Sequence, residues 1–289
     1  MDEKESEKIL QKLNLIEDGK LKRAAILLFG KNPKKFFTSV YLKIGKFLSN
    51  TDIVSSDDVE GNLFEQVEKS MEILKTKYLI SKIVGFEKGL YRKEELEYPE
   101  EALREAIINA VIHRDYIGVH TQLQILPDRL TIWNDGELPK GIGINELKTT
   151  HKSVPRNKLL ADVFYKAGLI EAWGRGTIKI IEECKKAGLP EPEFKEEFGG
   201  FSVYFYKDIF TEENLRKMGL NERQVKVVLY VKEKGKITNK EYQEITGIKK
   251  RQSSEDLKDL EEKGIFHKVG TTGKGTYYVL RGTKGANGA

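Results

Sequence analysis

One cysteine, four histidines and two tryptophans in 289 residues remove several kinds of chemistry. With Cys184 alone, the chain can close no intramolecular disulfide and build no multi-cysteine zinc site. Four scattered histidines add no credible metal centre. No apolar run approaches the length of a membrane span, about 20 residues; the longest, such as AAILLFG at 24–30, are strand-sized. The N-terminus, MDEKESEKIL, is charged and carries no apolar signal segment, so the expected compartment is the cytosol. The pattern G-x-x-x-x-G-K-[ST] is missing, which excludes a helicase motor. No Ser-His-Asp arrangement stands out. HRDY at 113–116 has the letters of a kinase catalytic loop, but the following asparagine, the upstream lysine strand and a D-F-G segment are missing.

What is present fits a water-soluble chain of two domains, or one large and one small: 39% hydrophobic and 33% charged residues. Residues 211–289 hold 17 Lys+Arg against 11 Asp+Glu, while the rest holds 33 against 34. The whole basic excess therefore lies in the last quarter, as expected of a nucleic-acid-facing module on a near-neutral body. A solvated lysine-rich surface is the plainer alternative.

Periodicity divides the chain further. An amphipathic helix covers about 4–13, and AAILLFG and SVYLKIGKFL, the latter from Ser39, read as strands. Residues 63–80 have helical period, and VGFEKGLYRKEELEYP reads as a strand with a loop. Pro99 and the acids after it mark a helix start. TQLQILP and RLTIWND flank Pro127 and Asp128 as a hairpin. A glycine-punctuated loop, a helix stopping near Gly168, a helix opened by GRG and ending at Gly188, and a closing strand GGFSVYFY follow. No internal repeat is present. From about 211 the order becomes helix, short helix, turn, helix, hairpin, which is that of a winged helix-turn-helix.

Within REAIINAVIHRDY at 104–116, Glu105, Asn109 and His113 are spaced four apart and stack on one stripe bordering an apolar face. A carboxylate there can serve as a general base toward water, and an amide oxygen can ligate magnesium. E-x-x-x-N is also a common surface pair. His113 either lines a pocket or is a satisfied structural histidine, while Arg114 and Asp115 close the helix. The His151–Ser153 loop with Arg156 and Asn157 either reaches phosphate or caps a helix. A helix opened by Gly174-Arg175-Gly176 exposes amides suited to phosphate.

Acid and amide on a helix, a strand ending in a glycine turn, and G-x-G opening a second helix resemble the ATP-binding fold shared by gyrase, the heat-shock chaperone, histidine kinases and mismatch-repair ATPases (the GHKL group). More closely, EALREAIINAVIHRDY, SVPRNKLLADVFYKAGLIEAWGRGTIKIIEECKKAGLPEPEF and GGFSVYFY resemble the RecG-like, Schlafen AlbA-type transcriptional regulator family. LIEDGKLKRAAILLFGKNPKKFF and EGNLFEQVE fit the same pattern, so the resemblance covers roughly 8–207. It implies an α+β fold: an N-terminal α/β part (1–98), a GHKL-like ATP-binding region (99–208) whose mixed sheet is covered by helices, and a winged helix with a glycine-rich tail (209–289). Members often carry an AlbA-type domain in front; its absence here makes the chain a shortened member or a fragment. The resemblance makes Glu105 the water-activating base, Asn109 the magnesium ligand and Gly174-Arg175-Gly176 part of a phosphate lid. His113, Asn134, Asp135, Gly136 and Arg156 would complete the nucleotide site. The ATPases hold adenine through D-x-G-x-G, whereas this chain reads Asn134-Asp135-Gly136-Glu137-Leu138. The site is therefore altered: Asn134 replaces the adenine-reading acid unless Asp135 takes over.

At the start of the third C-terminal helix, Lys249, Lys250, Arg251, Gln252, Ser253 and Ser254 suit base and phosphate contacts, with Lys268 and Lys274 on the wing. A protein-docking module is the alternative. The expectation is a homodimeric, DNA-binding transcriptional regulator whose body binds ATP and Mg2+ in a live or degenerate site. The rivals are a DNA-dependent ATPase and a dimerisation scaffold with a vestigial pocket.

Overall fold

The computed structural model describes residues 3–79, 81–87, 91–171, 173–208, 210–270 and 275–280, and divides the chain into units 1–207 and 208–289. The first unit starts with α1 (Glu3–Lys12) and a short hairpin, β1 (Ile16–Glu17) and β2 (Lys20–Leu21). AAILLFG, expected as a strand, is instead a helix, α2 (Arg23–Phe29), which buries Ala25, Leu27 and Leu28. Alanine and leucine are strong helix formers, and Ile26 is the segment's one β-branched residue, so propensity outweighs the apolar run. β3 (Leu42–Phe47) and β4 (Ile53–Val59) follow. Asn62 caps α3 (Leu63–Ile73), accepting the Glu65 N–H at 3.0 Å, and that helix ends in a wide π turn, Leu74–Tyr78. β5 (Ser81–Glu87) and β6 (Tyr91–Leu96) form a separate antiparallel pair where one strand and a loop were expected.

α4 (Glu100–His113) is apolar almost all round, burying Leu103, Ile107, Ile108, Val111 and Ile112, which makes it a central helix. It packs against α3 and, further on, against β8 and α6. The remaining elements are β7 (Thr121–Ile125), β8 (Arg129–Asp135), α5 (Lys158–Lys166), α6 (Gly176–Lys186), β9 (Glu193–Glu197) and β10 (Gly200–Tyr206). Six strands form one mixed sheet in the order β4-β3-β7-β8-β10-β9, antiparallel except for the β3–β7 pair. The parallel pair requires a long crossover, which carries α3 and α4. β4 (IVSSDDV) and β9 (EFKEE) are edge strands whose polar residues hide them from a hydrophobic-pattern reading. Because β3 and β4 share a sheet with β7 to β10, residues on both sides of position 98 build one core.

The second unit has a core of its own around Val227, Val228, Val231, Leu257, Leu260 and Ile265. It contains α7 (Glu212–Lys217), α8 (Glu222–Lys234), α9 (Asn239–Thr246), α10 (Lys250–Glu262), β11 (Phe266–Val269) and β12 (Tyr277–Leu280), the last two antiparallel. Two capping boxes, Asn221 with Gln224 and Thr238 with Glu241, start α8 and α9, and left-handed Gly235 and Gly247 end them. A buried Asp256 accepts from Tyr242 Oη at 2.9 Å and Arg223 Nε at 3.3 Å, tying α8, α9 and α10 together. Among the described residues, no helix is long and apolar enough to cross a membrane.

Candidate functional site

α4, the end of β8, the loop 136–156 and the start of α6 enclose a cleft with about 1060 Å³ of empty space, its open mouth included. Glu105, Asn109 and His113 line it from α4, which the four-residue spacing requires once one of them faces it. Asn134, Gly136, Arg156, Gly174, Arg175 and Gly176 line it from the other sides. These residues, up to 71 positions apart in the chain, thus converge on one cavity.

Glu105 is 9% exposed, and Asn109 Nδ2 donates to its Oε1 at 3.4 Å. Burial raises its pKa above the ordinary 4.5, against the opposing pull of Lys179 and the Asn109 hydrogen bond. The first residue of α6 presses on both groups: a Cβ on Gly176 would lie 2.3 Å from Glu105 Oε1 and 3.0 Å from Asn109 Nδ2. Thr177 Oγ1 donates to Leu147 O at 2.6 Å and anchors that helix start, whose first amides lack intrahelical partners. Gly174, at φ +64°, lies so close to the neighbouring loop that a Cβ would meet His151 O at 2.2 Å. His113 is pushed down to about 4, first by burial and then by Arg156 and His151, so it is neutral at pH 7.

Asn134 is 3% exposed; its Nδ2 donates to Asp135 O at 3.1 Å, and its Oδ1 accepts no hydrogen bond among the described residues. Asp135 does not line the cleft. Alternation along β8 turns its side chain away, where Oδ2 accepts the Val119 N–H at 2.9 Å. Gly136, at φ +106°, leaves room for Arg156, whose Nε would lie 2.9 Å from a Cβ there and whose Nη2 donates to Glu137 O at 2.8 Å. Sequence reasoning missed the apolar lining from Ile132, Ile142, Leu147 and Val203, and the anchor Thr177. Only the spaced apolar residues of GIGINEL hinted at it, because loop residues have no period to read. Among the described residues, no cluster of three or more His, Cys, Asp or Glu side chains could hold a metal.

In the second unit, Lys249, Lys250, Arg251, Gln252 and Ser254 are exposed around the start of α10. Ser253 is not: it is 0% exposed, and its hydroxyl lies 3.0 Å from both Asn239 Oδ1 and Lys250 O. That placement corrects the expectation that it faces outward. Arg251 is 93% exposed and pairs with Glu255 at 3.1 Å. Lys268 is half-buried on β11, and Lys274 lies outside the described residues.

Residues 118–205 match the family model described as "Putative ATP-dependent DNA helicase recG C-terminal". That stretch carries Asn134, Gly136, Arg156 and Gly174–Gly176, and stops short of α4 with Glu105 and Asn109. No curated protein matches. The crystal structure of the DIP2311 protein from Corynebacterium diphtheriae is similar over 95% of this chain and 57% of its own, with 18% identity and a TM-score of 0.58. The likeness is one of fold, and the chain spans a little over half of that protein's length.

Proposed function

We propose that the cleft binds ATP with a magnesium ion, and that the protein is a DNA-binding transcriptional regulator whose body reads nucleotide occupancy. The observation that carries this reading is the convergence of Glu105, Asn109 and the glycine-opened start of α6 on one cleft with Asn134 and Gly136. The residues suit the ligand. Gly174 and Gly176 stand where a Cβ would collide with the 151–153 loop and with Glu105, so glycine there lets the start of α6 lie close to the acid, and Arg156 and Arg175 add positive charge for a triphosphate. The Asn109 amide oxygen would ligate magnesium together with phosphate oxygens, and the ion would neutralise phosphate charge. Asn134 Oδ1 would accept from an exocyclic amino group, and the apolar lining would exclude water from the base. Glu105, deprotonated, would take a proton from a water at its carboxylate, and a pKa raised by burial makes it the stronger base.

That raised pKa also favours a second reading, a DNA-dependent ATPase that uses turnover to change its grip on DNA. In either case the second unit acts as a winged helix: α10 presents Lys249, Lys250, Arg251, Gln252 and Ser254 to the major groove, and the β11–β12 hairpin with Lys268 is the wing. A cytosolic homodimer matches the two-fold symmetry of palindromic operators.

Calorimetric titration with ATP and magnesium, of the parent protein and of Asn109→Ala, tests the nucleotide site. Saturable magnesium-dependent binding that the variant loses is expected. No heat from either protein would remove the nucleotide role and leave the second unit as the functional part.

A further inference from the structure

A second cleft, of about 810 Å³ including its mouth, adjoins the first. Glu105, Ile170, Glu171, Arg175 and Gly176 line both, so the two clefts share a wall that includes this carboxylate. The two differ in character: the nucleotide cleft is mainly apolar, and its neighbour mainly polar. The neighbour adds Arg104, Lys179 and Glu182 to the shared wall. Lys179 is held by Glu101 at 2.8 Å, a bridge between the first turn of α4 and α6. Arg175 lines both clefts, whereas Arg104 lines only this one and makes no ion pair among the described residues.

A planar guanidinium offers paired N–H donors that match the oxygens of a phosphate. Glu105, Glu171 and Glu182 in the same wall match Arg104, Arg175 and Lys179 in number, so the cavity is not cationic overall, which suits an anion held briefly by a directed guanidinium rather than one retained. A nucleoside diphosphate left after hydrolysis would still fill the first cleft, so a phosphate freed beside Glu105 would need another way out. We propose that the second cleft is the transient binding site and exit for inorganic phosphate, with Arg104 as its principal ligand. This rests on the nucleotide reading of the first cleft for the origin of the phosphate. Arg104 lies outside that cleft.

The full-length protein, saturated with ADP and magnesium, is titrated with inorganic phosphate and followed by phosphorus NMR line broadening, alongside Arg104→Ala and the bulk-preserving Arg104→Gln. Phosphate should bind together with ADP, and both variants should weaken it roughly tenfold, the effect of removing one charge-assisted hydrogen-bonding group. Their affinity for ATP should stay within about twofold of the parent, since no ATP ligand is removed. Displacement of phosphate by ADP would place it in the nucleotide cleft and overturn the proposal. Unchanged phosphate affinity in both variants, or no phosphate binding by the parent, would do the same. Arg104-dependent phosphate binding by a protein that takes up no nucleotide would support the anion site and defeat the nucleotide reading alone.

Discussion

Glu105 is the residue on which the proposed chemistry turns, because it is a carboxylate with 9% of its surface exposed beside a helix start. Its folded pKa is raised above 4.5 chiefly by burial. Below about the ordinary value both folded and unfolded chains carry the neutral acid, and burying it costs little. As pH rises through the folded pKa, the native state must either hold a buried charge or keep its proton against solvent, and stability is lost. Glu105→Gln should therefore stabilise the protein at pH 8, and that gain should shrink as pH falls toward 4.5, the ordinary value. Thermal melts of both proteins across this range check it; a gain independent of pH would mean that Glu105 carries no burial penalty. His113 has the opposite sign for a base: its pKa is depressed to about 4, so the stability linked to its neutral form is present above 6.5 and lost on acidification. Comparing Glu105→Gln with its own parent cancels this background.

At the scale of elements, two glycines two positions apart do different work. A Cβ on Gly174 would strike backbone, His151 O at 2.2 Å, and the residue sits at φ +64°. The clash can be relieved only by moving the 151–153 loop, and the positive φ would strain any other residue even then. On Gly176 the colliding atom is the far end of a flexible side chain, Glu105 Oε1 at 2.3 Å. Gly174→Ala should thus cost stability, about 1–3 kcal/mol. Gly176→Ala should leave the melting temperature nearly unchanged, because helix propensity favours alanine by about 1 kcal/mol. On the ATPase reading it should nevertheless abolish turnover by displacing the carboxylate. Melting temperatures and single-turnover hydrolysis on the two variants separate these effects. Equal destabilisation by both would show that the α4–α6 seam is stiffer than the geometry indicates.

On the scale of the whole molecule, the basic excess and the separate core of residues 208–289 belong together. Arg251 is 93% exposed, and its pairing with Glu255 is a surface i,i+4 interaction, worth only about 0.3–0.5 kcal/mol, so it is free to exchange partners. Lys250→Ala combined with Arg251→Ala should lower duplex DNA affinity and reduce the slope of log affinity against log salt by roughly two, one for each phosphate that is no longer neutralised. Fluorescence anisotropy at several salt concentrations measures both. Unchanged affinity and slope would turn this surface over to a protein partner.

The sequence by itself determined what is local: the four-residue spacing that aligns Glu105, Asn109 and His113, the hairpin about Pro127 and Asp128, and the charge of the last quarter. Such features depend on neighbours within a few positions, and side-chain type sets them directly. It misjudged AAILLFG, where a short apolar run fits helix and strand alike and only packing of Ala25, Leu27 and Leu28 decides. It could not show β4 or β9, whose polar residues become strands because an existing sheet edge offers hydrogen-bond partners. Ser253 and Asp135 were judged by residue type, but burial and strand alternation gave them structural partners. Tertiary structure alone brought α4, β8 and α6 around one cleft and set a second, polar one against Glu105. Distances across that seam depend on the whole core, to which no stretch of a few residues has access.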